Sequence, residues 1–202
     1  MERIKEYLNN RSLASTEELL KEELEIIEEK MRSLNDLKSN IEDRLDTLKD
    51  TRRQPLGIIE KKVIPTRHCY TIHSGYKIDE EMDMLIKQLL NKNTDKLYII
   101  GNNRIGSVIP LESALCGLYR HYTDVFIIDK DGEDTIPGGT YLTVSYQGDC
   151  AQNAEYIPQI LAYAQEHDLH PDGPVLELLW ADIHQTEEEQ EHITELQIGC
   201  GK

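Results

Sequence analysis

The sequence predicts an α+β protein: a long coiled-coil helix at the N-terminal end, followed by a compact head of strands and helices. Three observations carry this reading. Leu20, Ile27, Leu34, Ile41 and Leu48 recur every seven residues, and Leu24, Met31 and Leu45 follow the first, second and fourth of them by four. That spacing is an a/d heptad seam. Pro55-Leu56-Gly57, just after Arg52-Arg53, ends the periodicity, because proline cannot continue a helix. Beyond it the order strand, glycine turn, helix, strand, strand is read twice, with Gly75 and Gly148 at matching places.

Residues 1–12 carry Ile4 and Leu8 at helical spacing and read as a helix stub that leads out of a preceding domain. Residues 13–51 form the coiled-coil helix, with Ser15 read as its opening residue and Glu18 three positions on, the capping-box spacing. Lys38 is the one polar residue at a d position, where it tunes register. A helix charged on its other faces needs a partner helix for such a stripe, so a homodimer is expected through Leu20, Leu24, Ile27, Met31, Leu34, Ile41, Leu45 and Leu48. Residues 52–60 read as a linker and 61–202 as the head.

In the first half of the head, Arg67–Ile72 reads as a strand, His73-Ser74-Gly75 as a turn and Asp79–Leu90 as an amphipathic helix, with strands at Lys96–Gly101 and Tyr122–Asp129. In the second, Tyr141–Tyr146 is a strand, Gln147-Gly148 a turn, Ala154–His167 a helix, and Val175–Ile183 and His192–Ile198 are strands. Asp131-Gly132 and Pro137-Gly138-Gly139 mark the junction. A concave ligand site between two such halves is the natural expectation.

The formal charge of -16 repels phosphate backbones, so this polypeptide is not expected to grip nucleic acid by itself, and it attracts cations. Cys69, Cys116, Cys150 and Cys200 are scattered, with no CxxC pair, as in the reduced thiols of a cytoplasmic protein. No apolar run approaches the roughly 18 residues a membrane span needs. His167 and His170 have metal-like spacing but no further ligand in register. Gly101-Asn-Asn-Arg-Ile-Gly106 matches neither phosphate-binding pattern, and no nucleophile-elbow motif occurs. Neither a metal nor a cofactor is implied, and the chain is not read as an enzyme.

One residue breaks pattern. Glu177 interrupts Val175-Leu176-Glu177-Leu178-Leu179-Trp180, otherwise a doubly buried strand. A carboxylate there costs several kcal/mol unless it is paired or protonated. Alternation puts Glu177 with Val175, Leu179 and Ala181 on one face. If that face lines a pocket, Glu177 is a counter-ion for a lipophilic cation, with tyrosine faces adding cation–π attraction. If it does not, Glu177 stands in water or bridges an arginine such as Arg104 or Arg120. Ten tyrosines against one phenylalanine favour an aromatic but polar-tolerant wall. Tyr70 and Tyr146 precede the two glycine turns, and Tyr141, Tyr119 and Tyr122 are further candidates. Glu195 also interrupts an apolar strand and either faces solvent or joins Glu177.

The heptad helix, Gly173-Pro-Val-Leu-Glu-Leu-Leu-Trp-Ala-Asp182 and Ile193-Thr-Glu-Leu-Gln-Ile198 together resemble the C-terminal part of MerR-family transcription regulators, in particular the multidrug-responsive, BmrR-type members with a GyrI-like effector-binding domain. The stub Arg3–Leu8 looks like the last helix of that family's winged-helix DNA-binding domain. The resemblance implies an antiparallel coiled coil across a homodimer and a duplicated strand–helix–strand–strand head that binds hydrophobic, often cationic effectors. It carries the family's acidic residue onto Glu177 and its aromatic before the second glycine turn onto Tyr146, with Tyr70, Tyr141 and Leu179 as further ligand-binding positions. Leu179 departs from the aromatic often found there. Promoter DNA and RNA polymerase are then partners only through the absent DNA-binding domain. Two alternatives stay open: a GyrI-like hydrolase using Glu177 and Tyr146, and a protein-interaction or inhibitor module.

Overall fold

The computed structural model describes residues 12–76, 79–92, 105–181 and 186–201. The stub, the expected strand Lys96–Gly101 and Arg104 lie outside these or nearly so, since only Ser12 of the stub is described. Two compact units divide between Asp43 and Arg44.

Helix α1 runs Leu13–Thr51. Its opening differs by one turn from the expectation. Ser12, not Ser15, caps it: the Ser15 amide donates to Ser12 Oγ at 3.1 Å, and the Ser12 amide donates to Ser15 Oγ at 3.0 Å. This is a reciprocal box in which Ser15 takes the place usually given to glutamate. The heptad residues stand in solvent, from 64% exposure at Leu34 to 38% at Leu48. Among the described residues, this apolar stripe on a charged helix is left uncovered.

Among the described residues, the head is an eight-stranded antiparallel sheet with helices on one face. Its strands are β1 Glu60–Ile64, β2 Arg67–Ile72, β3 Ile105–Ile109, β4 Asp124–Ile128, β5 Asp134–Ile136, β6 Gly139–Gln147, β7 His170–Ala181 and β8 Ile193–Gly201. Helix α2 spans Asp79–Lys92, the short α3 Leu111–Leu115, and α4 Asn153–Glu166. Sheet order is β1-β6-β8-β7-β3-β4-β2-β5. The inner six strands are two triplets in mirrored order, β6-β8-β7 and β3-β4-β2, which is the doubling expected from the sequence. The α+β class with a long leading helix is confirmed, and the architecture is consistent with a GyrI-like domain. Three strands escaped the reading. β1 and β5 are edge strands with little apolar alternation, and β3 contains Gly106 and Ser107.

The sheet has two unlike faces. Ile105, Ile109, Val125, Val144, Val175 and Leu196 point to the face that α2 and α4 cover with Met82, Ile86, Ile157 and Ile160. Cys69, Phe126, Ile136, Tyr141, Leu176 and Leu178 form a separate cluster on the other face, built of strand residues alone. Along the central strands, alternation divides the buried apolar residues between the two clusters. β7 and β3 pair at the seam between the triplets, with Ser107 opposite Glu177.

Candidate functional site

Glu177 lies in the middle of that seam, on the helix-covered face, and is 4% exposed. Two neutral donors converge on it. Tyr122 donates its hydroxyl to Glu177 Oε2 at 2.9 Å, and Asn153 donates from Nδ2 to the same oxygen at 2.5 Å. Hydrogen bonds to an ionised group are worth about 1.5–3 kcal/mol each, which offsets much of the desolvation of a carboxylate set among isoleucines and valines. Burial, first, and the charge of Glu177, second, push the Tyr122 hydroxyl far above the phenol range, so it stays a donor. The Tyr146 hydroxyl is raised by the same two causes in the same order.

Asn153 is the hub. It opens α4 fully buried, and its Oδ1 accepts from the Tyr146 hydroxyl at 2.8 Å. Its amide nitrogen also lies 3.3 Å from the Tyr122 oxygen. One neutral side chain therefore ties β6 and the approach to β4 to the carboxylate on β7. The turn before it sets its position. Gly148 adopts φ +107°, and Asp149 caps the short 3-10 turn Cys150–Gln152 by accepting from the Ala151 amide at 2.9 Å.

A pair of stacked tyrosines covers the site. The rings of Tyr76 and Tyr122 lie 4.5 Å apart and nearly parallel, and the Tyr76 hydroxyl is bonded to Ser107 Oγ at 2.6 Å. Gly75 permits this approach: a Cβ there would stand 2.6 Å from the Tyr122 carbonyl oxygen. Outside the pair opens a cleft of about 860 Å³, walled by Tyr76, Tyr122, Tyr119 and Leu118, with Arg120 and Glu81 also lining it. Glu177 does not line this cleft. Tyr122 stands between them.

The sequence candidates are thus divided. Tyr146 joins the Glu177 network through Asn153, and also stacks on Tyr156 at 5.3 Å. Leu179 shares the face of Glu177, half-buried. Tyr70 also packs on that face, but its hydroxyl donates to the Asp131 carbonyl at 2.7 Å. Tyr141 points to the opposite face, where its hydroxyl donates to the Pro137 carbonyl. Glu195 is 3% exposed and neither faces solvent nor joins Glu177: across the sheet it accepts from Trp180 Nε1 at 2.7 Å and lies 3.6 Å from Lys62 Nζ. Asn153, Tyr76 and Ser107 were missed. Asn153 had a signal, because it continues the buried stripe Ile157, Ile160, Ala164 of α4 at helical spacing and is the one polar residue on it. Among the described residues, no three or more His, Cys, Asp or Glu side chains are grouped to hold a metal ion, and no helix is long and apolar enough to cross a membrane. All four cysteines are free thiols.

No family profile and no curated protein sequence matches this chain. Solved structures do. The chain is similar to EcmrR in the EcmrR-DNA complex of EcmrR-RPo, at a TM-score of 0.55 and 15% identity over 92% of this chain and 72% of that one. The EcmrR C-terminal domain matches at 0.53 and 14% identity, over 72% of this chain and 98% of that domain. A hydrolase from Listeria innocua matches at 0.54 and 10% identity, over 76% and 96%. At such identities these likenesses establish a shared fold. The 92% match extends over more than residues 44–202 alone make up, so it takes in part of α1.

Proposed function

We propose that this chain is the ligand-sensing and dimerising part of a MerR-type transcriptional regulator, with a head that binds lipophilic cations as in the multidrug-responsive members. The single observation behind this is the buried carboxylate of Glu177 beneath a stacked tyrosine pair that walls a cleft of ligand size. A pocket of several hundred Å³ with few convergent polar groups is the usual form of a small-molecule site. A cation entering it gains the negative charge behind Tyr122 and the electron-rich faces of Tyr76 and Tyr122, and a neutral molecule of equal size gains only the apolar contact. EcmrR, whose fold is shared in both the complex and the isolated C-terminal domain, gives the reading its regulatory context. Signalling in this scheme is a population shift, so the effector must prefer one arrangement of the chain over another. The exposed heptad stripe of α1 supports pairing with a second copy.

The hydrolase reading has one observation in its favour, the fold shared with the Listeria innocua hydrolase. Against it, Glu177 and Tyr146 are joined through Asn153 and not to each other, and Tyr122 separates the carboxylate from the cleft where water would be activated. A general base must reach the water it deprotonates. A thermal-shift screen with tetraarylphosphonium, aryl carboxylate and neutral aryl probes tests the proposal, since a binder at 100 times its dissociation constant adds about 2.7 kcal/mol. Cations alone should raise the melting temperature. Turnover of an electrophilic probe by the same protein would transfer the site to the enzyme class.

A further inference from the structure

The face of the sheet opposite Glu177 carries a second cavity. About 570 Å³ in volume, it opens between β2, β4, β6 and β7, with Phe126, Leu176, Ile136 and Tyr141 as its apolar and aromatic wall. At its lining stand two carboxylates from different strands. Asp124 is one-fifth exposed and holds His73 Nδ1 at 2.5 Å. Asp172 is exposed and sits where β7 breaks register between Pro171 and Val175, a bulge of the kind that re-aims a side chain. Among the described residues no ion pair engages Asp172. Arg67, whose guanidinium carbon lies 5.7 Å from the centre of the Tyr141 ring, is not part of the lining.

Two further residues show that the space is built open. Gly139 and Gly173 both line the cavity, and a Cβ on either would meet no atom within 4 Å. Neither has a backbone that excludes a side chain, since their φ angles are not in the left-handed region. Both positions therefore leave open space for a larger side chain at the cavity lining. The volume lies within the ordinary range for small ligands, the wall offers aromatic faces, and Asp172 and Asp124 offer acceptor oxygens, those of Asp124 already taking His73 Nδ1 and the Thr123 hydroxyl.

We propose that this cavity is a second small-molecule site, selective for a flat aromatic body bearing a protonated amine, with Asp172 receiving the ammonium group. It differs in kind from the cleft above Glu177. There the carboxylate is reached only through a tyrosine, which suits a diffuse cation with no N–H. Here the Asp172 carboxylate stands at the mouth and rewards N–H donors.

Isothermal titration with 1-naphthylmethylamine, its carboxylate counterpart 1-naphthoate and the neutral 1-naphthylmethanol tests this on the full chain. The amine should bind, and the carboxylate should not. Asp172→Asn, an exposed change that leaves the core untouched, should weaken the amine about three- to fivefold, as loss of a partly solvated charge pair does. Gly139→Leu should abolish binding while the circular dichroism spectrum and melting cooperativity persist, and Gly173→Leu repeats the test on another strand. Glu177→Gln should leave amine affinity unchanged, which separates this site from the first. Amine binding that survives both leucine variants, or that falls with Glu177→Gln, overturns the proposal, as does equal binding of naphthoate. A change of oligomeric state in the leucine variants without any amine binding to the wild type would instead mark the cavity as a contact between chains, and would equally overturn it.

Discussion

Replacing Glu177 by glutamine removes a charge and keeps the shape. The glutamine carbonyl can still accept from Tyr122 and Asn153, the two donors that now hold Oε2. Relief from burying an anion offsets the weaker neutral bonds, so the fold should survive with cooperative unfolding. The effect on ligand affinity depends on where the cation stops. Held on the cleft side of the tyrosine pair, it stands on the order of 8 Å from the carboxylate, where Coulomb attraction at an effective dielectric of about 20 is about 2 kcal/mol, or roughly thirtyfold in affinity. If Tyr122 swings aside and the cation comes to about 4 Å, the same arithmetic gives about 4 kcal/mol, near a thousandfold. Titration of tetraphenylphosphonium and a neutral aryl analogue into both proteins, followed by calorimetry or fluorescence, measures the difference. A thirtyfold loss confined to the cation places the ligand outside the closed pair, and a loss near a thousandfold requires the pair to open. Equal losses for cation and neutral probe, or none for either, would refute the counter-ion role altogether.

Asn153→Asp sets a second carboxylate against Glu177 and should cost about 3 kcal/mol at neutral pH, judged by urea unfolding. One acid of that pair is held protonated above its unfolded value, so the folded state binds the extra proton. The variant should therefore recover stability relative to wild type on acidification and lose it as pH rises through the raised value; a pH-independent deficit would contradict the shared-site geometry. His73 should titrate above its ordinary value of 6.5, owing first to its hydrogen bond with Asp124 and then to the charge of that carboxylate. What it adds to stability is fully present below 6.5 and disappears as pH climbs through the folded-state value, so NMR titration should show the shift and Asp124→Asn should abolish it. Sedimentation equilibrium should give about twice the 23.3 kDa chain mass, and Ile27→Glu with Leu34→Glu should return it to one, since each buried aliphatic contributes about 1.5–3 kcal/mol. A monomeric wild type at micromolar concentration would remove the pairing role from α1.

Much of this molecule was written locally. The seven-residue recurrence marked α1 because helical periodicity is a property of consecutive residues, and the two glycine turns and amphipathic stretches marked the doubled head for the same reason. Glu177 stood out because a charge inside an apolar strand is costly wherever the strand ends up. Alternation even forbade one of the chosen sets: Tyr141 and Tyr146 are five residues apart on a single strand and cannot share a face, and they do not. What the chain did not disclose was which sheet face the helices would cover, or that Tyr122 and Asn153, 55 and 24 residues away from Glu177, would supply its donors. Nor did it disclose that Glu195 would be taken by Trp180 and Lys62 on the far side. Those partners meet through strand order and register. Many distant segments compete for each pairing, and only the packing of the whole sheet selects one.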